Sequence, residues 1–194
     1  MDASDTIHIL GIAGSLRRES FNRTALRAAQ GLVPAGARLE IFDLADLPLF
    51  NADREHELPE PVARLKARVR ASDAVLFVSP EHNYSVPGVL MNAIDWASRP
   101  SGDSAWKGRA AAIMGASTGA YGTVRAQFHL RQVLVGVDMP TVLRPEVMIG
   151  HAAKAFDAAG GFADPALAER VRELLAALVE LARLHRAPAA RPAS

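Results

Sequence analysis

Gly11-Ile-Ala-Gly-Ser-Leu-Arg-Arg-Glu-Ser-Phe-Asn-Arg23 decides how the chain is read. It follows an apolar run, residues 7–12, that reads as a buried strand, and it precedes residues 24–32, which read as a helix. Two glycines, two serines, three arginines and an asparagine lie within it. Ser20 suits the N-cap, with Arg23 rather than a capping-box glutamate three residues on. A strand-to-helix loop of this kind turns backbone N–H groups and the positive end of a helix toward one spot. Hydroxyls and guanidinium groups beside that spot suit a phosphate.

Two nucleotide motifs are missing. G-x-G-x-x-G does not follow the first strand, which disfavours a dinucleotide fingerprint. G-x-x-x-x-G-K-[ST] is absent too, and the only lysines are Lys66, Lys107 and Lys154. A pocket lined by Ser, Arg and Asn suits a dianionic monoester better than a diphosphate, which needs close approach of glycine backbone. Flavin mononucleotide (FMN) carries such a monoester.

Outward from this stretch the chain alternates. Residues 38–42 and 74–78 read as strands, 109–114 as a fourth strand, and 141–149 contain a fifth, interrupted by Pro145. Residues 59–71, 87–97, 123–135 and 165–184 read as helices, with Pro87 in the first turn of its helix. Residues 44–58 form a long connection. Five alternations predict an α/β fold: a doubly wound, five-stranded parallel sheet with helices on both faces. The polar or glycine-rich loops follow strands one, three and four, and therefore share the carboxyl edge of the sheet, where such folds bind ligands.

Composition sets the bounds. The 194 residues are 49% hydrophobic and 22% charged, with net charge +1. That is ordinary for one soluble domain, expected over residues 1–185, with an Ala/Pro-rich tail at 186–194 expected to be disordered. No apolar run approaches a membrane span, and no basic block points to nucleic acid. The acidic opening Met1-Asp-Ala-Ser-Asp is unlike a signal peptide, so the cytoplasm is the expected compartment. The absence of cysteine excludes disulfides, thiolate metal sites and a thiol nucleophile. Six histidines show no metal-binding spacing.

Gly14-Ser-Leu-Arg-Arg-Glu-Ser-Phe-Asn-Arg23 resembles the flavin phosphate loop of the NAD(P)H-dependent FMN reductases, flavodoxin-like proteins that include bacterial chromate and quinone reductases. Asp46-Leu-Pro-Leu-Phe-Asn51 resembles that family's segment after the second strand. Ser79-Pro-Glu-His-Asn-Tyr-Ser-Val-Pro-Gly88, followed by Leu90-Met-Asn-Ala-Ile-Asp-Trp96, resembles its most specific signature, and Gly115-Ala-Ser-Thr-Gly119 with Gly122 its third flavin loop. His82 stands where an aromatic is common, and Met91 where lysine is common. The resemblance implies that Ser15, Arg17, Ser20 and Asn22 hold the FMN phosphate. Pro80, Glu81, His82 and Asn83 would run along the isoalloxazine edge, and Ser117 and Gly119 would meet the ring's polar end. It implies NADPH or NADH as reductant, and a quinone as acceptor, with chromate, azo compounds and free flavin also open. It further implies a homodimer or homotetramer, a state for which the apolar helix at 87–97 also speaks.

Other readings stand beside this one. Trp96 and Ile94 read as core, Trp106 as cover for a sheet edge, and Arg131 and Arg144 as surface charge. Tyr84 and Arg125 read either as solvated side chains or as part of a subunit contact. Gly115-Ala-Ser117-Thr-Gly119 also matches a nucleophile elbow, and Asp138 and His151 follow in hydrolase order. A serine acyl hydrolase is therefore a rival, as is a flavodoxin-type electron carrier with no turnover of its own.

Overall fold

The computed structural model describes residues 5–186 of the chain. In them five strands alternate with five helices. These are β1 Ile7–Ala13, α1 Phe21–Gln30, β2 Ala37–Phe42, α2 Glu60–Ala71, β3 Ala74–Val78, α3 Gly88–Ala97, β4 Ala110–Ala116, α4 Val124–Gly136, β5 Val147–Ile149 and α5 Pro165–His185. All pairings are parallel, in the order β2-β1-β3-β4-β5. This is the expected doubly wound, flavodoxin-like arrangement, whose strand order reverses between β1 and β3. The tail expectation falls on residues 187–194, outside the described residues.

Central strands are apolar on both faces because both faces are covered. Every residue of β3 and β4 is buried. On one face α1 and α5 pack Ala25, Leu26, Leu174 and Leu178 against Ile7, Ile9 and Leu76. On the other, α2, α3 and α4 bring Leu65, Leu90, Ile94 and Leu130 onto Leu10, Ile12 and Phe77. Full burial of one such side chain contributes about 1.5–3 kcal/mol.

Some local expectations shift. Trp106 does not cover an edge. It is fully buried on the second face, tilted against Phe77 at 5.8 Å between ring centroids, with its indole N–H donating to the Ile94 carbonyl at 3.0 Å. The fifth strand is shorter than expected. Thr141 makes only an isolated bridge to Ala111, and pairing resumes at Val147, after the cis peptide bond between Arg144 and Pro145. Arg131 is not mere surface charge, since its guanidinium donates to the Val142 carbonyl at 2.8 Å. Finally, α3 buries Leu90, Ala93, Ile94, Trp96 and Ala97 in its own protomer. Its apolar content is thus used by the core and offers no argument for an oligomer.

Candidate active site

Three loops meet at the carboxyl edge of the sheet: residues 14–20 after β1, 79–87 after β3 and 117–123 after β4. In the first, Ser20 has extended backbone and caps α1, its hydroxyl oxygen accepting from the Asn22 N–H at 3.2 Å. That bond leaves the hydroxyl proton free to donate. Ser15 accepts weakly from the Arg17 N–H at 3.4 Å, and one guanidinium nitrogen of Arg17 donates to the Glu19 carbonyl at 2.6 Å. Among the described residues, the N–H groups of Leu16, Arg18 and Glu19 find no acceptor. Free N–H groups, two hydroxyls and a guanidinium at a helix N-terminus form a donor set that fits a phosphate monoester.

Asn22 sits differently from the sequence expectation. It is buried, its amide nitrogen donates to the Ala116 carbonyl at 2.9 Å, and its amide oxygen accepts from the Ala116 N–H at 2.8 Å. Most of its polar capacity is thus spent inside the protein.

The second loop turns back on itself. His82 and Ser85 exchange backbone hydrogen bonds of 3.1 and 2.9 Å, and the two residues between them, Asn83 and Tyr84, have φ of 50° and 63°. Two positive φ values at the centre define a tight primed turn. Asn tolerates that conformation, whereas Tyr does so at a cost of about 1–3 kcal/mol. Interactions with α4 hold the turn. The Arg125 guanidinium lies 3.9 Å from the Tyr84 ring centroid, and Ser85 Oγ meets His129 Nδ1 at 3.0 Å. Tyr84 and Arg125 therefore brace this loop within the protomer, a role that neither sequence reading gave them.

Glu81 is the centre of that brace. Its carboxylate accepts from the N–H groups of Arg125 at 2.9 Å and Ala126 at 3.2 Å, and from the Arg125 side chain at 2.7 and 2.6 Å. These N–H groups belong to the first turn of α4, so Glu81 caps that helix from another loop. Burial alone raises the pKa of Glu81, but the bonds from Arg125 and Ala126 outweigh it and hold the carboxyl below its ordinary value. The side chain of Glu81 is committed here, and what this segment offers a ring is the buried Pro80 and the backbone and side chains of His82 and Asn83, both exposed.

The third loop is held from both sides. A Cβ on Gly115 would stand 2.2 Å from the Ser79 carbonyl oxygen and 2.2 Å from Thr123 Oγ1, so only glycine lets the second and third loops meet there. From the β5 side, the His151 N–H donates to the Gly119 carbonyl at 3.1 Å and the Ala152 N–H to the Ser117 carbonyl at 3.0 Å. Gly150 permits this contact, since a Cβ there would meet the Ala120 carbonyl at 2.4 Å. Ser117 Oγ accepts from the Gly119 N–H at 3.2 Å.

The segment after β5 escaped sequence reading. Phe156 stacks on Phe21 of α1 at 6.2 Å and tilts on Phe162 at 5.5 Å, while Asp157 folds the turn between them by accepting from Ala159 and Gly161 at 2.9 Å each. Asp157-Ala-Ala-Gly160-Gly161 between two phenylalanines was the available signal.

The hydrolase geometry is not assembled. Ser117 lies just past the carboxyl end of β4, whereas the Asp138 carbonyl accepts from Gly108, just before the other end of the strand. Seven residues of strand, about 20 Å, separate the two ends. Ser117 Oγ is bonded to Gly119, not to histidine.

A five-stranded flavodoxin-like sheet with a monoester-suited loop at its β1/β3 switch point defines a flavin mononucleotide protein as a class. The sequence profile of the NADPH-dependent FMN reductase family matches residues 7–154. An NAD(P)H-dependent FMN reductase of Pseudomonas aeruginosa is 50% identical over 176 residues, covering 90% of this chain and 95% of the relative. A quinone reductase of Pseudomonas putida is 46% identical over 178 residues, covering 91% and 93%. The structure of FerB, a flavoenzyme NAD(P)H:(acceptor) oxidoreductase from Paracoccus denitrificans, superimposes with a TM-score of 0.86 at 37% identity, covering 93% of this chain and 99% of that one. The chain belongs to the NADPH-dependent FMN reductase family. It is accordingly an oxidoreductase that uses FMN and NAD(P)H, and the carrier and hydrolase readings fall away.

Proposed function

We propose that this enzyme reduces quinones to hydroquinones, with its FMN seated on the three converging loops. The observation that carries the reading is their division of labour. One loop presents free N–H groups, hydroxyls and Arg17, while the other two present mainly backbone, held in place by Glu81, Arg125 and Gly115. Ser15, Arg17 and Ser20 hold the phosphate, with Asn22 behind them. Pro80, His82 and Asn83 line the ring edge, Glu81 fixes that segment, and Ser117 and Gly119 face the polar end. Bound flavin supplies hydride chemistry, and the protein positions it. Two electrons and one proton leave the nicotinamide as hydride, and the quinone receives them together with a second proton. Tyr84 and Tyr121, 67% and 74% exposed, give this edge an aromatic rim suited to a flat acceptor.

Tyr121 and Phe128 are exposed near Arg125, which supports pairing of protomers as a homodimer or homotetramer. The reading takes residues 1–185 as one unit working in the cytoplasm. Among the described residues, no helix is long and apolar enough to cross a membrane. The test is NADPH and NADH oxidation by the purified holoenzyme with 1,4-benzoquinone, chromate, an azo dye or free FMN as acceptor. The quinone is expected to give the highest kcat/KM. Turnover faster with any other acceptor would refute the assignment.

A further inference from the structure

Asn22 and Ala116 lie 94 positions apart in sequence, yet they are joined by two buried hydrogen bonds across the candidate site. The geometry has a simple origin. Strand β3 pairs with β4 as far as Val78 opposite Met114, and the Ser79 N–H then closes on the Met114 carbonyl at 2.9 Å. Beyond that point the chain turns away into Pro80. In a strand, alternate residues direct their N–H and C=O to opposite neighbours. Ser117 faces β5, its N–H donating to the Ile149 carbonyl at 2.9 Å, so Ala116 faces the side that β3 has left. Its N–H and C=O would both be buried and unpaired. The Asn22 amide presents one acceptor and one donor to them, as a neighbouring strand residue would.

We infer that Asn22 is a positioning residue that couples the phosphate end of the flavin site to its ring end. The residue stands in the first turn of α1, two residues after the Ser20 cap, and Ala116 immediately precedes Ser117. The link therefore sets the distance between the helix end that meets the monoester and the loop that meets the ring. It is formed within the protein alone, so the two halves of the site stand in register before a ligand arrives. Without it, flavin binding has to restore that register, and any ligand that uses the third loop is weakened. The inference rests on the placement of FMN proposed above, and it differs from a direct phosphate contact in what it predicts for a flavin without phosphate.

The test exchanges the flavin of the full-length holoprotein and measures FMN and riboflavin dissociation constants for wild type, Asn22→Ala and Ser15→Ala. Asn22→Ala is expected to weaken both flavins by the same factor, about tenfold, or 1.4 kcal/mol. It should also shift the midpoint potential of bound FMN, because the third loop moves relative to the ring. Ser15→Ala should weaken FMN alone and leave the potential unchanged. An Asn22→Ala effect confined to FMN, with riboflavin and potential as in wild type, makes Asn22 a phosphate ligand and overturns the inference, as does no effect on either flavin. If Ser15→Ala weakens both flavins equally, the phosphate placement itself is wrong and the inference falls with it. Should Asn22→Ala not fold, Asn22→Asp keeps the volume and the acceptor for the Ala116 N–H. It is read with riboflavin alone: weaker binding supports the coupling, and wild-type binding refutes it.

Discussion

Glu81→Gln exchanges one carboxylate oxygen for an NH2 group and tests how the second loop is held. The carboxylate accepts four bonds from α4, two from backbone N–H groups and two from the Arg125 side chain, and its side chain is only 8% exposed. An amide keeps the shape and one acceptor oxygen, but it loses the charge and the second oxygen. A hydrogen bond to a charged group contributes about 1.5–3 kcal/mol, and a charge at a helix N-terminus about 0.3–1 kcal/mol. Because Arg125 is 43% exposed and can turn to water, the net loss should be near the low end, about 2 kcal/mol. For a chain of this size that lowers Tm by about 4–8 °C. The pH dependence has a definite sign. The folded pKa of Glu81 lies below its ordinary value, so its contribution is fully present above the ordinary value of 4.5 and is lost as pH falls through the folded pKa. Thermal melts of wild type and variant should therefore differ at pH 7 and converge as pH falls through the folded pKa, below 4.5. Equal Tm at pH 7, or a gap that persists undiminished in acid, would refute the capping argument.

Gly115→Ala should destabilise the fold and release flavin, because its Cβ meets two fixed atoms at 2.2 Å, whereas Gly119→Ala, which meets only Ser117 Oγ at 3.7 Å, should melt like wild type. Lys66 is 1% exposed, with its ammonium on the Arg99 carbonyl and on Asp103 at 2.8 Å, so Asp103→Ala, which strands the buried charge, should cost more in urea unfolding than Lys66→Met, which removes it. Ser20→Asp puts a carboxylate where a phosphate is expected. The variant should fold, keep a helix cap and purify pale, with riboflavin affinity far less changed than FMN affinity in titrations.

The parts legible in the sequence are those set by one local rule. Residues 74–78 are an unbroken apolar run, and they form β3 with those bounds. Ser20 was identifiable as a cap because its residue type and its place before the helix are both local facts. The fifth strand was less legible. Pro140 and Pro145 lack the N–H that a ladder needs, and where pairing resumes after them depends on a neighbour, β4, distant in sequence. Likewise Pro87 could be placed at the start of α3, but it sits at the cap, not inside the first turn.

The site was legible as a set of loops and not as a set of contacts, for a physical reason. A flat ring and a phosphate can both be met by backbone, and backbone in loops holds its shape only if side chains tie it down. Glu81 is spent on α4, Asn22 on β4 and Ser79 on the Pro80 carbonyl at 2.8 Å. Each is a polar residue in a ligand-binding motif, and each has an internal partner that sequence spacing does not reveal. On the placement proposed above, reading such a motif as a roll of side-chain contacts would overcount them. The residues whose loss should affect FMN alone are those left with free donors, Ser15, Arg17 and Ser20, while loss of Asn22 or Glu81 should be felt by any flavin.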